Sequence, residues 1–139
     1  MYNLPVYNFL GFNLLRCSFN RNNGNDIESF GIKIINSHFD EINHVHQLGV
    51  SINLNYGDQN ISYFDFSSGY KINDMEWYNS LTTNQINQTL FAIVFPFIRN
   101  MVANITDDSR GRLILPIIDL KNIDLNVGAT FTMSNKNAN

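Results

Sequence analysis

The chain has 139 residues, which favours one domain, because two domains of half this length would each have too small a core. Apolar residues make up 44% of the sequence and aromatic residues 13%, so disorder along the whole chain is excluded. The formal net charge is −3 and the nine Lys and Arg are scattered singly, which excludes the basic patch of a nucleic-acid-binding protein. A single Cys and an N-terminus without the basic and long apolar regions of a signal peptide predict a cytoplasmic protein.

Four segments with strand patterns occupy the first half of the chain, and turn residues separate them. The segments are residues 7–21, 27–39, 44–56 and 61–72. Apolar and polar residues alternate in the last two segments, which is the period of a strand with one buried face. The predicted buried positions are Val50, Ile52, Leu54, Tyr56, Phe64, Phe66, Tyr70 and Ile72. Four consecutive strands with short connections predict an antiparallel sheet that is covered on one face.

Helical spacing begins in the second half. Thr82 and Gln85 match a capping box, and apolar residues then recur every three or four positions. Pro96 predicts a kink, and Gly111 predicts the end of the helix. Between Leu90 and Ile98 every side of the helix is apolar, yet the run is only about half of a membrane span. We therefore expect a second subunit to cover part of this helix. The predicted interface residues are Leu90, Phe91, Val94, Phe97 and Met101.

An apolar segment that contains a proline follows the helix. Residues 113–120 predict an extended chain, because Pro116 is unsuited to a helix interior and to a central strand. Beyond them, residues 127–133 predict a weak strand and residues 134–139 predict disorder. We therefore divide the chain into a single domain at 1–125 and a C-terminal extension at 126–139.

Three stretches that follow the four strands carry a family resemblance. They are FDFSSGYKINDME at 64–76, LFAIVFPFIRNMVANI at 90–105 and GRLILPIIDL at 111–120. Taken together and in this order, they resemble the SecB protein-export chaperones over about residues 7–120. The resemblance implies an α+β fold, in which a four-stranded antiparallel Greek-key sheet is followed by a long kinked helix packed on one face. It also implies homodimers or homotetramers that bind non-native polypeptides without ATP.

The resemblance places the polypeptide-binding groove between the long helix and the apolar segment. The groove residues that it implies are Leu113, Ile114, Leu115, Pro116, Ile117 and Ile118. In an extended chain alternate residues face opposite ways, so one set could pack in the core while its neighbours stay available. Weaker candidates, because they could belong to the core, are Phe64, Phe66, Phe95 and Phe97.

Two departures from the export members argue against a role with the SecA motor. Those members continue into a second amphipathic helix and a charged or zinc-contacting tail. Here residues 122–139 favour a strand, and the tail at 134–139 has one Lys and no acid. Their acidic sheet face is reduced here to Asp58 and Asp65. The predicted function is a chaperone that holds several non-native clients. The alternative is an adaptor of a phage, plasmid or toxin–antitoxin system with one specific partner.

Other reactive side chains predict neither catalysis nor a metal site. His44 and His46 share the spacing of one strand face, with His38 nearby, but no Cys completes a zinc site, so we interpret them as polar residues at strand ends. Cys17 is expected to pack with Leu15 and Phe19 on the apolar face. The carboxylate pairs, which lack a setting that would shift a pKa, are Asp107 with Asp108 and Asp119 with Asp124. We therefore expect no enzyme activity, no cofactor and no membrane or nucleic-acid partner.

Overall fold

The computed structural model describes residues 4–19, 28–55, 61–107, 113–116, 118–120, 123–125 and 128–132. The elements in chain order are β1 (Tyr7–Ser18), β2 (Ser29–Asp40), β3 (Val45–Asn55), β4 (Ile61–Ile72), α1 (Met75–Asn79), α2 (Thr83–Ile105) and β5 (Ala129–Thr132). The four predicted strands and the long helix are therefore confirmed. The prediction of disorder at 134–139 and the groove residue Ile117 lie outside the described residues.

The strands form one antiparallel sheet in the order β1-β4-β3-β2-β5. Consecutive strands β2, β3 and β4 pair with one another and β1 lies beside β4, which is the predicted Greek key. The fifth strand arises because the weak C-terminal strand predicted at 127–133 pairs with the edge of β2. Its register places Phe131 opposite Phe30, and the two rings stack with centroids 5.0 Å apart.

One face of the sheet packs against α2 and forms the core. The predicted alternation in β3 and β4 is confirmed by side chains that are at most 1% exposed, namely Val50, Ile52, Leu54, Phe64, Phe66, Tyr70 and Ile72. Tyr56 lies outside the described residues. The main buried apolar residues of α2 are Leu90, Phe91, Val94, Phe95, Ile98 and Val102. Full burial of such a side chain contributes about 1.5–3 kcal/mol, so this layer is the main source of stability.

The same packing corrects the predicted subunit interface. Leu90 is 1% exposed and Phe91 and Val94 are 0% exposed within a single chain. The chain itself already covers these three side chains, so a second subunit has no surface there to contact. Phe97 is 46% exposed and Met101 is half-buried, and only these two of the five predicted residues keep accessible surface.

The ends of α2 follow from local hydrogen bonds. At the start, the Gln85 N–H donates to Thr82 Oγ1 (3.2 Å) and the Thr82 N–H to Gln85 Oε1 (2.9 Å), which confirms the capping box. The helix ends at Ile105, earlier than the predicted end near Gly111, because Thr106 Oγ1 donates to Val102 O (2.7 Å) and caps the last turn. The helix continues through Pro96, which is exposed; the predicted kink stays a prediction.

Among the described helices, α2 is the one that is long and apolar enough to cross a bilayer, with a mean hydropathy of 1.2. Its apolar side packs on the sheet, and this packing accounts for its composition.

Strand β1 contains two irregularities that the sequence pattern did not predict. Its register against β4 shifts between Phe9 and Gly11 and again between Leu14 and Arg16. A bulge adds a residue and changes the alternation of side chains, so Leu15 is 59% exposed. Cys17 is also exposed, and the expectation that it packs in the apolar layer is therefore wrong.

Candidate functional site

The described residues 113–116, 118–120 and 123–125, which we call the strap, lie along α2 from its C-terminal end back to its N-terminal end. Side chains of α2 and of its cap form hydrogen bonds with main-chain atoms of the strap. The bonds are Leu113 N–H to Thr106 Oγ1 (3.0 Å), Arg99 Nε–H to Leu115 O (2.7 Å), Gln88 Nε2–H to Leu120 O (2.7 Å) and to Ile123 O (2.5 Å), and Leu125 N–H to Asn84 Oδ1 (3.3 Å). The path of the strap is thus fixed by polar residues on one flank of the helix.

The strap divides its apolar residues between core and surface. Leu115 is 1% exposed and belongs to the core, whereas Ile114 is 59% exposed and Pro116 is also exposed. Leu113 and Ile118 are half-buried against the core. Over residues 113–116 the alternation is as expected for extended chain, and Leu115 is turned inward rather than toward a groove. Ile118, which strict alternation would place on the exposed side with Ile114 and Pro116, packs against the core instead.

The opposite flank of α2 carries an aromatic cluster at the edge of the sheet. Phe97 lies against Phe9 and Phe12 of β1, with ring centroids 5.3 and 5.6 Å apart. Phe9 also contacts the buried Tyr70 at 5.5 Å. Because Phe9 and Phe12 are half-buried and Phe97 is 46% exposed, this cluster presents aromatic surface to solvent. The other weaker candidates, Phe64, Phe66 and Phe95, are core residues.

These features together form a surface that we call the apolar band. Phe97 and Arg99 are about 200° apart around the helix, so the first contacts β1 while the second holds the strap. Exposed Pro96 precedes Phe97, and the band thus extends over the outer side of α2 from the β1 cluster to the strap. Its members are Phe9, Phe12, Pro96, Phe97, Ile114 and Pro116. An exposed apolar surface of this kind typically marks a site of interaction.

Sequence reasoning identified the strap end of the band and missed the β1 end. The pairing of β1 with β4, which brings Phe9 and Phe12 under Phe97, is a long-range contact that no local pattern encodes. The aromatic residues at positions 9 and 12 were the available signal, but their alternation is broken by the bulge at Gly11, where φ is +118°.

A partly buried polar network near α1 surrounds His46. His46 Nε2 lies 2.7 Å from Ser37 Oγ and His46 Nδ1 lies 2.8 Å from the Tyr78 hydroxyl. Burial lowers the pKa of His46 to about 4, and the nearby His38 contributes. Ser37 Oγ donates to Asn87 Oδ1 (2.9 Å), so the neutral His46 donates from Nε2 to Ser37 and accepts from Tyr78 at Nδ1. An imidazole that donates to the serine is not its general base, and we interpret this network as structural.

The histidines do not form the shared strand face that their spacing suggested. His46 is 4% exposed in β3, whereas His44 precedes the strand in a left-handed turn conformation with φ 56°. In the part of the chain that the structure describes, no group of three or more His, Cys, Asp or Glu is positioned to hold a metal.

Protonation of His46 makes the stability depend on pH. The pKa in the folded state is below the ordinary value of 6.5, so the unfolded chain binds the proton first as the pH falls. Stability should be fully present above about pH 6.5 and should fall by on the order of 3 kcal/mol as the pH approaches 4. Urea unfolding between pH 7.5 and 4.5 measures how the free energy of unfolding changes with pH.

The difference between wild type and His46→Gln isolates the contribution of this residue to the pH dependence. We expect the variant to be less stable at neutral pH and to lose less stability on acidification. The control His44→Asn changes an exposed histidine outside the network, in a left-handed conformation that Asn tolerates, and should keep the wild-type pH dependence. Equal slopes for wild type and His46→Gln would show that the network does not exclude the proton.

Asp65, on the outer face of the sheet, is buried and paired with a cation. This carboxylate is 4% exposed and its Oδ2 lies 2.6 Å from Nε of Arg16, whose guanidinium also lies over the Tyr63 ring at 5.7 Å. The second predicted acid, Asp58, lies outside the described residues. The expectation that SecA is not a partner stays a prediction.

The sheet order, the long helix and the strap define the fold as that of the SecB-like chaperones, which confirms the resemblance at the level of fold. The solved structure of the Mycobacterium tuberculosis SecB-like chaperone Rv1957, in complex with a ChAD peptide from the Rv1956 HigA1 antitoxin, aligns with a TM-score of 0.60 and 19% identity, over 81% of this chain and 90% of that one. A Streptococcus agalactiae protein of unknown function aligns with a TM-score of 0.44 and 13% identity, over 80% and 97%. No protein-family model and no curated protein matches the sequence.

Proposed function

We propose that the protein is a cytoplasmic, ATP-independent chaperone that holds extended apolar segments of non-native polypeptides on the apolar band. The observation that carries this proposal is the exposure of Phe97 and Ile114 on the two flanks of one helix. The structural similarity to Rv1957, which was solved with a bound antitoxin peptide, supports a role in binding polypeptides.

The band suits weak binding of many sequences. Burial of apolar surface stabilises a complex by about 25 cal/mol per Å², a term that does not depend on direction and therefore selects little among apolar partners. In an oligomer several bands would act on one unfolded chain, and their weak contacts would multiply through effective concentration. Release then needs no nucleotide, because a client that folds buries the segments that the band binds.

We further propose self-association, as a dimer or tetramer, along the outer edge of β1. In the described residues β1 pairs only with β4, and an open edge is a template for another strand. Since Leu90, Phe91 and Val94 are core residues, this edge replaces them as the proposed contact between copies.

Light scattering tests the proposed contact along β1. We expect a mass above that of one chain for the wild type and a shift toward one chain in Leu15→Lys, because lysine on an edge strand disfavours pairing. The matched change Ile42→Lys, at a residue that is 91% exposed in the β2–β3 turn, should leave the mass unchanged. A wild-type mass of one chain at every concentration would contradict self-association.

The second candidate is an adaptor for one specific partner, which the peptide complex of Rv1957 favours. Suppression of aggregation separates the two. We expect the protein, at near-stoichiometric ratio, to keep several unrelated denatured proteins in solution. A protein that suppresses none of them and yet captures one partner would be the adaptor, and the chaperone proposal would be wrong.

A further inference from the structure

The apolar band has a cation at its strap end. Arg99 is the only charged residue in the sequence of α2, and it is half-buried. Its Nε–H donates to Leu115 O at 2.7 Å, which fixes the guanidinium next to the exposed Ile114 and Pro116 and one helical turn from Pro96. A charge in this position lies within the surface that the proposed function assigns to clients.

Arg99 has no carboxylate partner within the described residues. The one ion pair among them joins Arg16 to Asp65, and α2 contributes no acid. The guanidinium carries several N–H donors in a planar fork that matches a carboxylate. The bond to Leu115 O uses Nε, and no described residue binds the two terminal nitrogens, so their donors can serve another acceptor.

A carboxylate at this position would be bound more strongly than one on an open surface. Exposed Ile114 and Pro116 flank the carbonyl that Arg99 binds. An apolar segment bound over them would exclude water from the charge pair and strengthen it, and charge-assisted hydrogen bonds are stronger than neutral ones. In an extended peptide the residues two positions before and after the acid lie on its same side, so they would face the apolar surface on either side of Arg99.

We propose that the polypeptide segment bound by the apolar band carries a carboxylate between apolar residues, and that Arg99 pairs with this carboxylate. The inference rests on the proposed function and names the chemistry of its preferred client. The carboxylate is supplied by an Asp or Glu side chain or by the C-terminus of the client.

Short synthetic peptides test the preference directly. The probes are extended, blocked peptides with apolar residues at alternate positions and Glu, Gln or Lys at the centre, and their binding is measured by fluorescence anisotropy at low salt. We expect the Glu peptide to bind about five- to tenfold more tightly than the Gln peptide and the Lys peptide to bind least. A Gln peptide with a free C-terminus, compared with its amide, tests the terminal carboxylate. High salt should reduce each difference.

Variants of Arg99 separate pairing from a structural role. Arg99→Gln keeps an N–H donor for Leu115 O and should bind the Glu and Gln peptides equally. Arg99→Glu should reverse the order and favour the Lys peptide, a result that loss of the strap contact alone would not produce.

The outcomes distinguish this proposal from the function on which it rests. If the wild type binds the three central residues equally, or if Arg99→Gln keeps the preference for Glu, the carboxylate proposal is wrong and the polypeptide-binding function stands. If neither these peptides nor a permanently unfolded protein binds, both are wrong. If peptides bind only after dilution to a monomer, a second copy of the chain covers the band in the oligomer. That result would also overturn the carboxylate proposal.

Discussion

Replacement of Phe91 by Ala is expected to lower the free energy of unfolding by about 3–5 kcal/mol. Phe91 is 0% exposed, and its ring lies 5.0 Å from that of Phe95 in the layer between α2 and the sheet. The substitution removes an aromatic side chain from a packed interior and leaves a cavity. Urea unfolding measures this loss of free energy, provided that the dependence of the free energy on urea concentration is the same for wild type and variant.

Phe97→Ala is the matched control for this prediction. It removes the same side chain from the same helix at a position that is 46% exposed, so the expected loss is smaller, about 1–2 kcal/mol. Equal losses at the two positions would contradict the division of α2 into core and surface. If Phe91→Ala dissociated an oligomer without lowering the free energy of unfolding, Phe91 would belong to a subunit interface rather than to the core.

The double variant Phe97→Asp with Ile114→Asp is expected to lose nearly all suppression of aggregation. Each change replaces apolar surface of the band with a charge that a bound client would have to desolvate. The fold should persist, since both side chains are exposed and the bonds of Arg99 and Gln88 to the strap use main-chain oxygens. Light scattering from a denatured protein measures suppression, and circular dichroism measures the fold.

Ile35→Asp with Ile42→Asp provides the control for that variant. Ile35 of β2 is 46% exposed and Ile42 is 91% exposed, and neither belongs to the apolar band or to β1. This pair changes the net charge equally and should keep suppression at the wild-type level. Equal loss in both double variants would point to charge rather than to the band, and full activity in the first would remove the band from client binding.

The parts of the fold that could be predicted from the sequence have short-range signals. Alternation predicted which face of β4 is buried because the pattern of a strand is read from neighbouring residues. Thr82 and Gln85 predicted the start of α2 for the same reason, as each bonds the other's backbone. In both cases the residues that determine the structure lie within a few positions of one another.

The parts that were wrong depend on contacts between distant segments. The apolar run that contains Phe91 indicated a second subunit because the sequence does not show that the sheet and the strap of the same chain cover it. The sequence of the strap predicted two alternating sets of side chains. Which set faces the core is decided by long-range contacts such as the bond from Arg99 to Leu115 O. The exposure of Cys17 follows from a bulge against β4, and no local pattern predicted that bulge.

The candidate site was predicted in part. The resemblance located Ile114 and Pro116 on the strap, and the structure adds Phe9 and Phe12 through the neighbouring position of β1 and β4. Arg99 could have been singled out from the sequence, because it is the one charge in a long apolar helix. Its significance depends on its place between two exposed apolar surfaces, which only the folded chain shows.

Site-specific photo-cross-linking gives the most direct measurement of where a non-native polypeptide binds. A photoreactive residue at position 114 reports on the apolar band, and one at position 53, on the opposite face of β3, serves as the control. With a permanently unfolded protein present, we predict cross-links from position 114 and few or none from position 53. Cross-links of equal yield from both positions, or from position 53 alone, would contradict the assignment of client binding to the band.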